Sequence, residues 1–263
     1  SSRELGLGDE HEGILVLSSI GLDPEIGLDA IALLGLDESA AEVNVTPDRG
    51  YCLSIRGIAR EYSHATGVKF QDPVLSIDPV MGSGFALEVK DNAPIHGKAG
   101  CSQFVLVGVS GLDAEAKVPD WMVSRLKLAG MRSISIAVDI TNYAMLELGQ
   151  PLHAYDLDKL VGGISVRRAK AGEELVTLDQ KTRQLHEEDL LICDEQGPIG
   201  IAGVMGGART EVSSSTKSVL IEAAIFDPIS IARSARRHKL PSEASKRFER
   251  GVDSSISRAA ASR

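Results

Sequence analysis

The chain is short of the features that mark several common protein classes, and each shortage excludes one. It has three cysteines, Cys52, Cys101 and Cys193, far apart and in no CxxC arrangement. That argues against both a disulfide framework and a zinc knuckle, and reduced, mostly buried thiols are expected. No apolar run approaches the ~20 residues that a membrane helix needs. Hydrophobic and charged fractions of 43% and 25% are those of an ordinary globular chain. Positive charge is also scarce, with 28 Lys and Arg against 37 Asp and Glu and a net charge of −9. A surface that grips nucleic acid everywhere is therefore disfavoured, and any RNA contact must be local. Histidines at 11, 64, 96, 153, 186 and 238 show no HxxxH spacing, so no metal is expected. There is no GxSxG or SxxK nucleophile motif. "MGSGFA" lacks the third glycine of a dinucleotide loop, and "GIAGVMGGART" lacks the Lys-Ser/Thr pair of a P-loop.

At 263 residues the chain suits a main domain of ~150 residues with smaller attached pieces. The opening "SSRELGLGDEHEG" has no apolar region behind a basic start, so no signal or transit peptide is expected and a cytoplasmic location is the default. The closing "SSISRAAASR" is a helical pattern without a C-cap, as expected of a piece of a longer polypeptide. Near the start, "GILVLSS" reads as a strand with its connection. In "TPDRGYCLSIRGIAREYSHATG" a turn feeds an amphipathic helix that Gly67 can cap. Arg56 and Arg60 share one face of it, which suits a solvated face or an RNA contact. Residues 79–98 are rich in turn formers and read as a linker despite one strand-like run, "FALEVK". Then "SQFVLVGVSG" alternates like a strand and "PDWMVSRLKLAGM" reads as a short helix. The runs "ISIAVDITNYAMLEL", "GISVRRA", "LVTL", "DLLICD", "IGIAGVMGG" and "SVLIEAAIF" are β-branched and separated by turn residues. Asp227-Pro228 and Ser242 give start signals for two final helices. The fold class that follows is α/β (α+β): mixed sheets with few helices over about 99–250.

Two residues carry most of the chemical interest. Glu222 is the one carboxylate in the apolar run "VLIEAAIF". It either faces outward from a half-exposed strand or, if the strand is covered on both faces, is buried with a perturbed pKa. His153, in "GQPLHAYDLD", is a lone histidine beside a turn, usually a capped or packed residue. Thr141 and Asn142 can bond a sugar or satisfy themselves. The glycines of "IAGVMGG" suit tight packing or the close approach of another group. The only dense basic segment is "ARSARRHKL", followed by Lys246, Arg247 and Arg250. No triad can be assembled from spacing.

Taken together, "VNVTPDRGYCLSIRGIARE", "AVDITNYAMLELGQPLHAYDLDKL", "GIAGVMGG", "SVLIEAAIFDPISIARSARRHKL" and "SEASKRFERGVD" closely resemble the β chain of bacterial phenylalanyl-tRNA synthetases, in order and spacing across nearly the whole chain. The resemblance implies that residues 1–36 end an OB-like tRNA-binding region, that 37–78 form a small helical scaffold segment, that 79–98 link, that 99–250 form the editing domain, and that 251–263 begin a linker to further domains. That editing domain hydrolyses tyrosine misattached to the phenylalanine tRNA. The implied partners are tRNA(Phe) and the α subunit of an α2β2 synthetase, with no membrane and no DNA. ATP and magnesium belong to the whole synthetase, and no cofactor is expected in these residues. Carried over by position, Glu222 matches the residue that accepts a hydrogen bond from the tyrosine hydroxyl, with Ala202 and Gly203 at the same end of the pocket. His153 matches the editing-site histidine, which orients substrate or water. Thr141 and Asn142 fall near the terminal adenosine and ester, Gly206 in the glycine loop, and Ser242 and Ala244 in the pocket wall. The chain departs from the family at "RHKLPSEAS", where Lys239 replaces a more usual glycine, Pro241 follows, and Ser242 replaces a threonine. A non-catalytic module that positions tRNA and contacts subunits is the alternative to editing. A general nucleic-acid module is a third, which the acidic balance opposes.

Overall fold

In the computed structural model, residues 1–7, 10–20, 22–82 and 84–263 are described. Gly8 and Asp9 of the opening segment and Ser83 of "MGSGFA" lie outside them. In chain order the elements are α1 (Ala30–Leu33), α2 (Ile55–Thr66), β1 (Leu87–Val89), β2 (Cys101–Ser110), α3 (Asp120–Leu128), α4 (Ile136–Leu148), β3 (Leu152–Asp156), β4 (Ile164–Arg168), β5 (Glu174–Val176), β6 (Thr182–Gln184), β7 (Leu190–Asp194), β8 (Gly197–Ile201), β9 (Met205–Gly206), β10 (Ser218–Phe226), α5 (Pro228–His238), α6 (Glu243–Arg250) and α7 (Ser257–Ser262). Ser1–Glu42 with Leu128–Gly130 form one compact unit, and Val43–Lys127 with Met131–Arg263 the other. In the smaller unit Asp29 caps α1 by accepting from the Ile31 amide at 3.0 Å. The run "GILVLSS", expected as a strand, finds no strand partner among the described residues and ends in a 3-10 turn at Leu17–Ile20. An isolated strand has no ladder to satisfy its backbone.

The larger unit is of the mixed α/β class. Five strands run in the order β1-β4-β7-β8-β9, with β1 parallel to β4 and the remaining pairs antiparallel. A second sheet, β2-β10-β3, is wholly antiparallel, and β5-β6 form a separate hairpin. The main core lies between the two larger sheets, where Leu220, Ala224 and Phe226 of β10 pack with Ile164, Leu191 and Ile201, closed by Ile231 of α5 and Phe248 of α6. The other face of the three-stranded sheet is covered by α4 and α7, with Leu148, Ile256 and Ala260 buried together.

Four expectations change on this frame. "ISIAVDITNYAMLEL", grouped with the strand runs, forms α4, between Ser135 and a left-handed Gly149 with φ of 89°. Its buried Ala137, Thr141, Ala144, Met145 and Leu148, leaving aside the polar Asp139, recur three or four apart, the period of a helix, and outweigh a β-branched composition that suggests strand. The expected linker 79–98 supplies β1 and also Asp91, which holds the buried Arg168 at 2.8 Å. The expected linker 251–263 forms α7 against β10 and β2, because the apolar face it covers would otherwise meet water. α2 follows its sequence signals, with Ser54 accepting from the Gly57 amide at 3.0 Å and Gly67 closing the helix. Its Arg56, however, is neither solvated nor open to RNA. It is 6% exposed and held by Asp72 and Asp253.

Candidate functional site

The site is built on the register of β10 against β3. β10 is the central strand of its sheet, with the main core on one face and α7 on the other, so Val219, Leu220, Ala223 and Ala224 are all buried. Glu222, on the core-facing side with Leu220 and Ala224, is 7% exposed, which settles the buried reading over the outward one. Directly across the pair lies His153, and Tyr155 stands opposite Leu220. Because strand side chains alternate, Glu222, His153 and Tyr155 share one face. The Tyr155 hydroxyl donates to Oε2 of Glu222, and the rings of His153 and Tyr155 meet edge to face, 4.5 Å between centroids.

The "IAGVMGG" turn closes over this face. Gly203 has φ of 64°, and a Cβ there would lie 2.8 Å from the Phe248 ring, so this glycine serves packing as well as backbone shape. At Gly206 a Cβ would lie 2.6 Å from Cε1 of His153. The bare backbone there lets the imidazole approach. His153, Glu222, Ala202, Gly203, Gly206 and Ala244 together line a cavity of about 90 Å³. His153 also lines a larger one of about 470 Å³, with Thr141, Asn142 and Leu152. The candidate residues thus fall into two adjoining groups that share the histidine. Ser242 is not among the residues lining the smaller cavity. Its hydroxyl accepts from the Ser245 amide at 3.0 Å, capping α6, and donates to the Val204 carbonyl at 3.3 Å, tying the helix start to the glycine turn.

Among the described residues no lysine, arginine or aspartate lines the smaller cavity, and its electrostatics are those of burial. Burial pushes Glu222 up, the Tyr155 hydrogen bond pulls it partly back, and it titrates at about 7. Burial holds His153 down at about 4, so the imidazole is neutral at physiological pH although part of its surface reaches the cavities. Tyr155 is raised well above an ordinary phenol by burial, the Glu222 charge and their hydrogen bond. All three cysteines are buried and unpaired. Among the described residues no group of three or more His, Cys, Asp or Glu is placed to hold a metal ion, and no helix is long and apolar enough to cross a membrane.

The basic segment singled out for a local RNA contact is largely engaged within the protein. Arg233 and Arg237 pair with Glu188, and Arg237 and His238 with Asp189. Arg247 is buried against Glu243 and the Leu53 carbonyl, and Arg250 donates to the Val45 carbonyl at 2.8 Å. Lys239 ends α5 in the left-handed region with φ of 54°, a conformation that favours glycine. Tyr155 was missed by sequence reasoning, although it stands two residues beyond His153 in a strand and must therefore point the same way.

A family model described as "B3/4 domain" matches residues 100–263. The chain is 66% identical over 265 residues to the phenylalanine–tRNA ligase beta subunit of Leifsonia xyli subsp. xyli, covering 100% of the chain and 31% of that protein. It is 56% identical over 267 residues to the same subunit of Streptomyces avermitilis, again 100% of the chain and 31% of that protein. The chain therefore spans about a third of the length of the curated relatives it matches. Among solved structures, an N-terminal fragment of the phenylalanyl-tRNA synthetase beta subunit from Pyrococcus horikoshii is similar at 17% identity and a TM-score of 0.40, covering 73% of this chain and 59% of that one. That likeness is too remote to bear on the site.

Proposed function

The chain belongs to the B3/4 domain family, and from that premise we propose that it serves, within a cytoplasmic phenylalanine–tRNA ligase beta subunit, as the module that hydrolyses tyrosine misattached to the tRNA for phenylalanine. In this reading tRNA(Phe) and the synthetase α subunit are its partners, and residues 99–250 carry the chemistry. The observation that carries the reading is Glu222, an ionisable acid on the wall of an otherwise largely apolar cavity. A tyrosyl hydroxyl can donate to that carboxylate. A phenylalanyl ring cannot, and leaves it without the second donor. A site built to hydrogen-bond a hydroxyl rejects the analogue lacking it far more strongly than a hydrophobic pocket could. The cavity of about 90 Å³ is smaller than the ~150 Å³ that holds a benzene ring, so entry of the side chain requires its wall to give. Met205, unbranched and part of that wall, is suited to do so.

The ester and terminal adenosine then belong in the larger cavity beside Thr141 and Asn142, with His153 at the junction. Hydrolysis of an aminoacyl ester needs a water held in line with the carbonyl and donors for the oxyanion, with the ribose oxygen leaving. A histidine that stays neutral down to about pH 4 can accept a hydrogen bond from that water at neutral pH. It is a weak general base, and orientation is its main contribution. Backbone at Gly206, against the imidazole edge, frames the same spot. The alternative reading, a tRNA-positioning and subunit-contact scaffold without turnover, draws on one observation: burial alone sets the His153 titration, with no hydrogen bond among the described residues to orient its ring.

The test measures deacylation of Tyr-tRNA(Phe) beside Phe-tRNA(Phe) by the assembled subunit. With Glu222→Ala the preference for the tyrosyl ester is expected to fall at least about 100-fold. With His153→Ala both rates are expected to fall about 100-fold with little change in preference. An undiminished preference without Glu222 would sink the reading. Hydrolysis indifferent to both changes would favour the scaffold.

A further inference from the structure

The stretch His153-Ala154-Tyr155 places two rings on one face of β3, and the function proposed above uses only the first. Tyr155 is 1% exposed, its ring lies edge-on to His153, and its hydroxyl donates to Oε2 of Glu222. A buried tyrosine ordinarily finds a partner for its hydroxyl, and with most acceptors that would be a structural contact. Here the acceptor is the acid that lines the cavity, and among the described residues Tyr155 is the one protein side chain seen bonded to it. An ionised carboxylate offers two oxygens and about four lone-pair sites. With Oε2 engaged by Tyr155, Oε1 is left for a donor arriving from the cavity.

Resting on the editing reading, we propose that Tyr155 is a positioning residue that sets the preference for tyrosine: its hydroxyl fixes Glu222 in one orientation and leaves Oε1 to accept the phenol of an incoming tyrosyl group. The same bond bears on charge. Burial favours the protonated acid, and the Tyr155 hydrogen bond is what opposes it. The titratable groups that face the pair are few. Among the described residues they are His153 on β3, neutral at physiological pH, Cys101 on β2, which feels the Glu222 charge, and Cys193 on β7, which acts on Tyr155. Burial pushes both thiols up, Cys101 to about 12 and Cys193 to about 11, so neither contributes charge. The glycine turn and α6 bring no titratable side chain to the cavity. Without the Tyr155 hydroxyl, Glu222 is therefore both freer to turn and more often protonated, and a neutral acid is the weaker acceptor.

The experiment measures the ratio of Tyr-tRNA(Phe) to Phe-tRNA(Phe) hydrolysis by the full-length subunit in its assembled synthetase, from about pH 6 to about pH 8.5, for the unaltered protein, Tyr155→Phe and Glu222→Gln. The ratio cancels whatever activates water for both esters. For Tyr155→Phe the ratio is expected to fall about tenfold near neutrality and to recover toward the alkaline end, its midpoint displaced upward by about one pH unit. The ¹³C resonance of the Glu222 carboxyl, followed in the same two proteins, is expected to titrate higher in the variant. A ratio that rises at every pH in Tyr155→Phe overturns the proposal, because the hydroxyl would then compete with substrate. So does an unchanged ratio and midpoint. A ratio indifferent to Glu222→Gln overturns the editing reading, and this use of Tyr155 with it. The carboxyl resonance separates that failure from the other: an unmoved titration overturns the control of Glu222 by Tyr155 whatever the substrate.

Discussion

Two buried carboxylates, Asp189 just before β7 and Glu222 on β10, have opposite fates. Asp189 is fully buried. It receives Ser234 Oγ at 2.7 Å, His238 Nε2 at 2.7 Å, the His186 amide at 2.8 Å and a short contact from Arg237. Burial pushes its carboxyl up, but these donors outweigh burial and hold it down at about 2. Glu222 is nearly as buried, with Tyr155 as its hydrogen-bond donor, and titrates at about 7. The cost of removing a carboxylate from water is common to both, and the number of donors decides the outcome. A fully satisfied acid is a structural knot, here fastening α5 to the turn before β7. An acid left one donor short is an acceptor waiting for a ligand.

The comparison can be broken first at the knot. Asp189→Asn removes the charge from a site still holding Arg237 and His238 and is expected to cost ~3–5 kcal/mol in urea unfolding. A variant within about 0.5 kcal/mol of the original chain would mean that the network is decorative. At the other acid the effect reverses in sign and depends on pH. Glu222 titrates higher in the folded protein, about 7 against an ordinary value of 4.5. The folded state therefore holds its proton more tightly, and the chain loses stability as pH rises between those two values. Glu222→Gln should remove that loss, leaving the variant more stable by roughly 3 kcal/mol above pH 7 and level with the original near pH 4.5. His153, lowered to about 4, contributes in the opposite sense: its share of stability is present above its ordinary value of 6.5 and is lost as pH falls toward about 4. Glu222→Gln should therefore leave a profile that only weakens on acidification, and a variant that still weakens between pH 4.5 and 7 on going alkaline would refute the assignment. The smallest effect is expected where α5 ends beside the knot. Lys239 adopts φ of 54°, and Lys239→Gly is expected to gain about 1 kcal/mol with no change in either carboxylate.

Much of this was legible in the chain itself. The oddity of one carboxylate in "VLIEAAIF", the caps at Gly67, Asp227 and Ser242, and the family resemblance all lie in local order and spacing. What was misread has physical causes. α4 is β-branched, and strand propensity is a weak prior that packing overrides. Residues 79–98 looked like a linker because none of their described residues is fully buried, and 251–263, a linker only by the resemblance, buries Ile256 and Ala260 against residues distant in sequence. The basic run "ARSARRHKL" suggested an RNA contact, but its acids, Glu188 and Asp189, lie over forty residues away in sequence, out of reach of any local reading. Tyr155 was in plain view two residues from His153, yet its importance depends on an acid from another strand.

By itself the sequence determined the class of fold, the family and the identity of the unusual residues, because caps, turn residues and alternation act over a few positions and leave their mark there. Only the tertiary structure decided that β10 is central and covered on both faces, that its register sets Glu222 against His153, and that the acid is one donor short while Asp189 is satisfied. Burial and hydrogen-bond partnership are sums over neighbours brought from distant parts of the chain, and no stretch of sequence contains that sum.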